Sequence, residues 1–219
     1  DMGGWAAYVA SIYYSYRYIE SKNDNKWIYI SSVIIGVGGL YKEYAFVACV
    51  VLAGVVIWKN YSNWKKIISI GIVAFILSFM TILILNIYSY YVYHYTYIDW
   101  FIFNQGEYSY QNRLVEFVKA FGSIFTIGWL LFIGGLYFLI KRSKNIFIDY
   151  NIAFIWFVIF SSFAVLLWPV VTRVLFITMP ATILVSSLFI ERFINKFWII
   201  FIILVFYINF VFLSNTQSQ

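Results

Sequence analysis

The run from residue 67 to residue 88, IISIGIVAFILSFMTILILNIY, contains no Asp, Glu, Lys or Arg. As a helix it covers about 33 Å, enough to cross the roughly 30 Å hydrocarbon core of a bilayer. It is also apolar all round, with no polar stripe to face water. The rest of the chain is of the same kind. It is 63% hydrophobic and 11% charged, against about 25% charged in an average soluble domain, which is the composition of a chain dissolved in lipid.

Eight apolar runs are expected to be helical spans: 3–18, 27–40, 44–58, 67–88, 124–140, 150–168, 174–190 and 197–213. The second and third, read as one helix, would be about 48 Å long, too long for the bilayer core. A hairpin turning at Tyr41, Lys42 and Glu43 is expected instead. The fold class is therefore all-α: a polytopic transmembrane helical bundle of about eight spans, one domain over residues 1–219. The connection 89–123 begins with YYVYHYTYIDWF, the Tyr and Trp composition of a headgroup-level belt. It ends with SYQNRLVEFVKAFGS, where Leu114, Phe117, Val118 and Phe121 recur at helical spacing. A short interfacial helix is expected there. A loop of this length without a domain of its own is usually functional.

Orientation follows from the basic residues, because cytoplasmic loops retain Lys and Arg. With residue 1 outside, the inner ends hold Arg17, Lys22, Lys26, Lys59, Lys65, Lys66, Lys141, Arg142, Lys144, Arg192 and Lys196. Lys42, Arg113, Lys119 and Arg173 remain outside. The opposite topology would reverse that bias. The pI near 9.2 is thus a topology signal, and nucleic acid is not an expected partner. The location expected is the plasma membrane of a prokaryotic cell. Asn60 opens an N-Y-S glycosylation sequon, but on the inner side. The only cysteine, Cys49, lies in an apolar run with no disulfide partner in the chain. No charged segment with a cleavage site precedes the first span, so no signal peptide is read.

No span carries an ionisable residue near its middle, which argues against proton relays and voltage sensing. The candidate chemistry lies on the outer face, with carboxylates Asp1, Glu43, Asp99 and Glu107 and cations Lys42 and Arg173. Carboxylates can act as general bases or hold a hard divalent cation, and the metal requirement stays open. Lys and Arg can hold a phosphate. Each residue also has a structural reading. Lys42 and Glu43 can mark a turn, and Arg173 can anchor a helix at the interface. His94 has no second His or Cys to share a metal with and can be a belt residue, while Asp99 and Glu107 can simply be solvated.

The order of these features resembles the back half of the GT-C class of membrane glycosyltransferases, closest to the protein mannosyltransferase and lipid A aminoarabinose transferase group. The likeness rests on an acid opening a span that ends in YRYIES, on GVGGLYKEYAFVACVVL, and on TRVLFITMPATILV. It implies a multispan fold that takes a sugar from a polyprenyl-phosphate carrier and passes it to a hydroxyl of a protein or lipid acceptor on the outer face. It implies an inverting displacement with a carboxylate as base. Lys42 and Arg173 would hold the donor phosphate, Asp1 would match the group's supporting acid, and Glu43 would stand beside Lys42 in the turn. The outer loop with His94, Asp99 and Glu107 would help close the site. The group's main carboxylate lies in a first outer loop that has no counterpart here, so the chain is expected to be a carboxy-terminal portion, inactive alone. Two readings from other classes stay open: a transporter or flippase segment for lipid-linked sugars, and a non-catalytic membrane subunit.

Overall fold

Every described element of this chain is helical, as its apolar runs and sparse Gly and Pro punctuation dictate. The structure, a computed structural model, describes residues 2–21, 24–96, 98–99, 102, 115, 128–145, 149–167 and 176–193. Among them are seven α-helices: α1 (Met2–Glu20), α2 (Lys26–Tyr41), α3 (Ala48–Asn60), α4 (Trp64–Tyr93), α5 (Gly128–Arg142), α6 (Tyr150–Ser162) and α7 (Met179–Phe193). A 3₁₀ turn, Glu43–Val47, leads into α3, and another, Phe163–Leu167, follows α6. Two stretches are long and apolar enough to cross a membrane, Glu43–Asn60 and Trp64–Tyr93. α2 and α6 are apolar but shorter, with 16 and 13 residues. The interfacial helix expected near 109–123, apart from helical Val115, and the span expected at 197–213 lie outside the described residues.

Side-chain contacts fix the helix directions. On α1 the buried residues Gly4, Ala7, Tyr8, Ser11, Ile12, Ser15, Tyr18 and Ile19 recur at the three- and four-residue spacing of one helix face. Ser31 donates to the Ser11 carbonyl at 3.0 Å and lies 3.3 Å from the Ser15 hydroxyl. Lys42 abuts Gly4. The amino end of α1 therefore meets the carboxyl end of α2, and the two run antiparallel. Thr81 donates to the Gly36 carbonyl (2.9 Å) and Ser78 to the Ser32 carbonyl (3.4 Å), so α4 runs parallel to α2. Lys59, at the end of α3, donates to the Tyr18 and Ser21 carbonyls at the end of α1. Asn60 donates to the Tyr18 hydroxyl at 2.9 Å. The chain has thus reversed between α2 and α3, at the position the charge pair marked. Small residues and hydroxyls at these seams let the helix backbones approach closely and bond to one another across the seam.

α6 lies against α1 and α3. The Tyr16 hydroxyl donates to Asn151 Oδ1 (2.9 Å), and the Tyr8 hydroxyl lies 2.9 Å from that of Ser161 and donates to the Ile177 carbonyl at 3.2 Å. α5 and α7 pack in parallel, with Gly134 and Gly135 against Phe189 and Val185 and Arg192 over the Phe138 ring at 5.3 Å. All seven helices accordingly alternate in direction. Arg17, Lys26, Lys59, Lys65, Lys66, Lys141, Arg142, Lys144 and Arg192 gather at one end of the bundle, and among the described cations Lys42 alone stands at the other.

The principal buried cluster joins α1, α2, α3, α4 and α6 through Tyr8, Ile28, Ile35, Val51, Val55, Ile70 and Val158. A smaller one joins α5, α6 and α7. α4 is the outlier. Its apolar side chains Ile68, Ile72, Phe75, Ile76, Leu83, Ile84 and Ile87 are exposed along its length.

Candidate functional site

α2 stops at Tyr41 because Lys42 leaves the helical region for extended backbone (φ −165°, ψ 138°), its N–H still bonded to the Gly38 carbonyl. The Lys42 carbonyl then accepts from Ala45 N–H at 3.2 Å, which tightens residues 43–47 into the 3₁₀ turn. Two glycines let this turn sit against α1. A Cβ on Gly38 would come within 2.2 Å of the Ala7 Cβ, and one on Gly4 within 2.6 Å of the Lys42 Cβ. No side chain larger than hydrogen fits either position without displacing the turn.

The result is a charged pair in an aromatic setting. Lys42 Nζ lies 3.6 Å from Glu43 Oε1. Glu43 is 9% exposed, while the Lys42 side chain keeps 26%. A carboxylate taken this far from water is costly unless partnered, and the lysine beside it supplies the opposite charge. Lys42 Nζ also lies 5.7 Å from the centre of the Tyr44 ring, within cation–π range. Tyr44 stacks on Trp5 (centroids 4.7 Å apart, planes 20° apart), and Trp5 meets Phe176 at 5.7 Å. The cation is thus paired with a largely buried carboxylate and overlies one ring of a chain of three aromatic side chains.

Trp5 and Phe176 also line one end of a cleft of about 670 Å³ between α1, α6 and α7. The cleft leads away from the pair toward Arg142, Asp149 and Glu191 at the basic end of the bundle.

The other candidates divide. Asp1, Glu107 and Arg173 lie outside the described residues. His94 caps α4 in the left-handed conformation (φ 53°), its N–H bonded to the Tyr90 carbonyl and its ring edge-on to Tyr90. With Thr81 level with Gly36, His94 stands about 10 Å further along the axis than Lys42. Asp99 Oδ2 accepts from the Thr96 N–H (2.8 Å) and hydroxyl (2.7 Å), and Asp99 N–H donates back to Thr96 Oγ1 (3.1 Å). This reciprocal pair is a capping box, and its hydrogen bonds hold the Asp99 carboxyl below its ordinary range. Among the described residues no three His, Cys, Asp or Glu side chains are grouped to share a metal ion.

Sequence reasoning missed Trp5, Tyr44 and Phe176, which meet only in three dimensions. The Thr96 cap was legible as T-x-x-D in TYID. Comparison of the chain with protein-family models, curated proteins and solved structures finds no match.

Proposed function

We propose that this chain is an integral membrane protein, a bundle of about eight spans in a prokaryotic plasma membrane with residue 1 and Lys42 at the outer face. Its function is then to move a sugar from a polyprenyl-phosphate donor to a hydroxyl of a protein or lipid acceptor, in the manner of the GT-C glycosyltransferases it resembles. The exposed apolar length of α4 supports the membrane reading, since an apolar surface of that extent marks contact with lipid or a partner.

The observation that carries the transferase reading is the Lys42–Glu43 pair. It sits at the end of the bundle opposite the other described cations, set among Trp5, Tyr44 and Phe176. In the reaction, the acceptor oxygen attacks the anomeric carbon as the carbon–oxygen bond to phosphate breaks, with inversion. The acceptor proton passes to a carboxylate, and negative charge grows on the departing lipid phosphate. Lys42, oriented by Glu43, is placed to neutralise that charge, with Arg173 as its partner. Asp1 is the supporting acid, and the resemblance assigns the principal base to a loop outside these residues. A preorganised cation is most effective in such a water-poor site.

The test is sugar transfer from a polyprenyl-phosphate donor by the full-length protein in membranes. Lys42→Ala is expected to slow transfer about 10- to 100-fold, the loss of one charge-assisted contact to phosphate, while Lys42→Arg keeps most of the rate. An unchanged rate in Lys42→Ala would remove the phosphate role.

A further inference from the structure

We propose that five oxygens at the junction of α1, α6 and α7 form a binding site for a dehydrated Na⁺ ion. The oxygens close a ring. The Tyr8 hydroxyl lies 2.9 Å from that of Ser161 and 3.2 Å from the Ile177 carbonyl. The Val158 carbonyl lies 2.8 Å from the Ser161 hydroxyl and 3.0 Å from the Ser162 hydroxyl, which stands 3.5 Å from the Ile177 carbonyl. Each oxygen thus has a ring neighbour on either side, and all the groups are neutral. The sequence supplies them where helix is interrupted. Ser161 and Ser162 end α6, which places their hydroxyls one turn after the Val158 carbonyl. Ile177 lies in the 3₁₀ turn 176–178 that enters α7, and Pro180, three residues on, has no N–H to offer its carbonyl in that register. Carbonyls released where a helix is broken, together with the negative end of a helix dipole, are what a bare cation takes in place of water.

Proton counting separates such a site from an ordinary hydrogen-bonded knot. Tyr8, Ser161 and Ser162 bring one hydroxyl proton each, too few to give every contact of the ring a proton of its own. A cation at the centre turns the surplus lone pairs into ligands. Size and charge then select the ion. Oxygens spaced by about 3.1 Å around the ring stand about 2.6 Å from its centre if the ring is flat, and closer if it is puckered. That is the range of Ca²⁺–oxygen contacts, about 2.3–2.6 Å, and Na⁺ has nearly the radius of Ca²⁺. The larger K⁺ needs longer contacts, and Mg²⁺ needs shorter ones. Charge decides against Ca²⁺. Tyr8, Val158, Ser161 and Ile177 are fully buried, the cost of burying a charge grows with its square, and the ring holds no carboxylate to offset it. Ser162, at the edge, is half-buried and marks the side on which the ion enters. Once bound, the ion ties α1 to the end of α6 and the start of α7, about 6 Å along α1 from the Gly4 that Lys42 abuts.

The experiment measures thermal unfolding and retention of radioactive Na⁺ by the purified full-length protein in detergent, at one ionic strength made up with NaCl, KCl or choline chloride. An ion that binds only the folded chain raises Tm saturably, by about 3–6 °C at a tenfold excess over Kd for a protein of this size. Choline should give no such rise, and K⁺ a smaller one. Tyr8→Phe and Ser162→Ala each delete one ligand and little else, so each should weaken Na⁺ retention about tenfold or more and cancel the rise in NaCl. Ser32→Ala removes a buried hydroxyl of the same back-bonded kind from α2 and should lower Tm equally in all three salts. A ring held by hydrogen bonds alone, or filled by water, would give Tyr8→Phe that same salt-independent loss. That result, equal melting in NaCl and choline chloride, or undiminished Na⁺ retention by Ser162→Ala overturns the inference. Equal action by K⁺ overturns the choice of Na⁺. If Tyr8→Phe fails to fold, Ser162→Ala, at the half-buried edge, carries the test. None of these readouts uses sugar transfer, so the site and the glycosyltransferase reading stand or fall separately.

Discussion

Asp99 reads in the sequence as an outer-face carboxylate available for proton transfer, and the structure shows it already engaged. Both hydrogen bonds from Thr96 converge on one of its oxygens, and both favour the charged form. Its carboxyl is therefore held below the ordinary value, and the sign follows. The cap contributes fully above the ordinary carboxylate range and is lost as pH falls through the lowered value. Thr96→Ala removes the hydroxyl donor and keeps the N–H, so it should raise the titration midpoint of Asp99 part of the way to the ordinary value, read by NMR of its carboxyl carbon; an unmoved midpoint would exclude the Thr96 hydroxyl as the cause. Lys42 and Glu43 show the other side of legibility. Their turn could be read from a charged pair set in the middle of an apolar run that would otherwise make a helix of about 48 Å. The ring stack behind them could not, since Trp5 and Tyr44 are separated by all of α2 and most of α1.

At the scale of elements, the apolar runs locate helices well and their ends less well, for local reasons. α4 continues to Tyr93, five residues beyond the run, because its tyrosines propagate a helix as readily as they populate an interface. α6 gives way to a 3₁₀ turn after Ser162, where the Ser161 and Ser162 hydroxyls both bond back to the Val158 carbonyl. Such back-bonding competes with the regular ladder. α7 begins at Met179, five residues later than the run at 174, with Pro180 in its first turn, where a missing N–H costs nothing. The seams between helices depend on glycines whose roles differ. Gly38→Ala forces its Cβ into that of Ala7 and should cost about 1–3 kcal/mol, displacing the Lys42 turn as well. Gly71→Ala has nothing within 4 Å and should be neutral or add up to about 1 kcal/mol through helix propensity. Thermal unfolding in detergent distinguishes them, and equal melting points for the two variants would remove the close-packing account of Gly38.

For the whole molecule, the segregation of described cations to one end makes the proposed orientation testable. In a Cys49→Ala background, Tyr95→Cys should react with an impermeant maleimide in intact cells, whereas Ser62→Cys, in the turn between α3 and α4, should react only after permeabilisation. The reverse pattern would invert the topology and place Lys42 on the wrong face for an outer donor. The unequal helices carry a last consequence. α4, with 30 residues, is about 45 Å long, whereas α2, with 16, reaches about 24 Å. In the membrane reading proposed above, no single hydrocarbon thickness suits both, so a bilayer around the chain would stretch or be pierced beside one and pinch beside the other. The proposed sugar transfer should then pass through a maximum across reconstituted bilayers of graded acyl length, and a flat response would mean that lipid does not contact both helices.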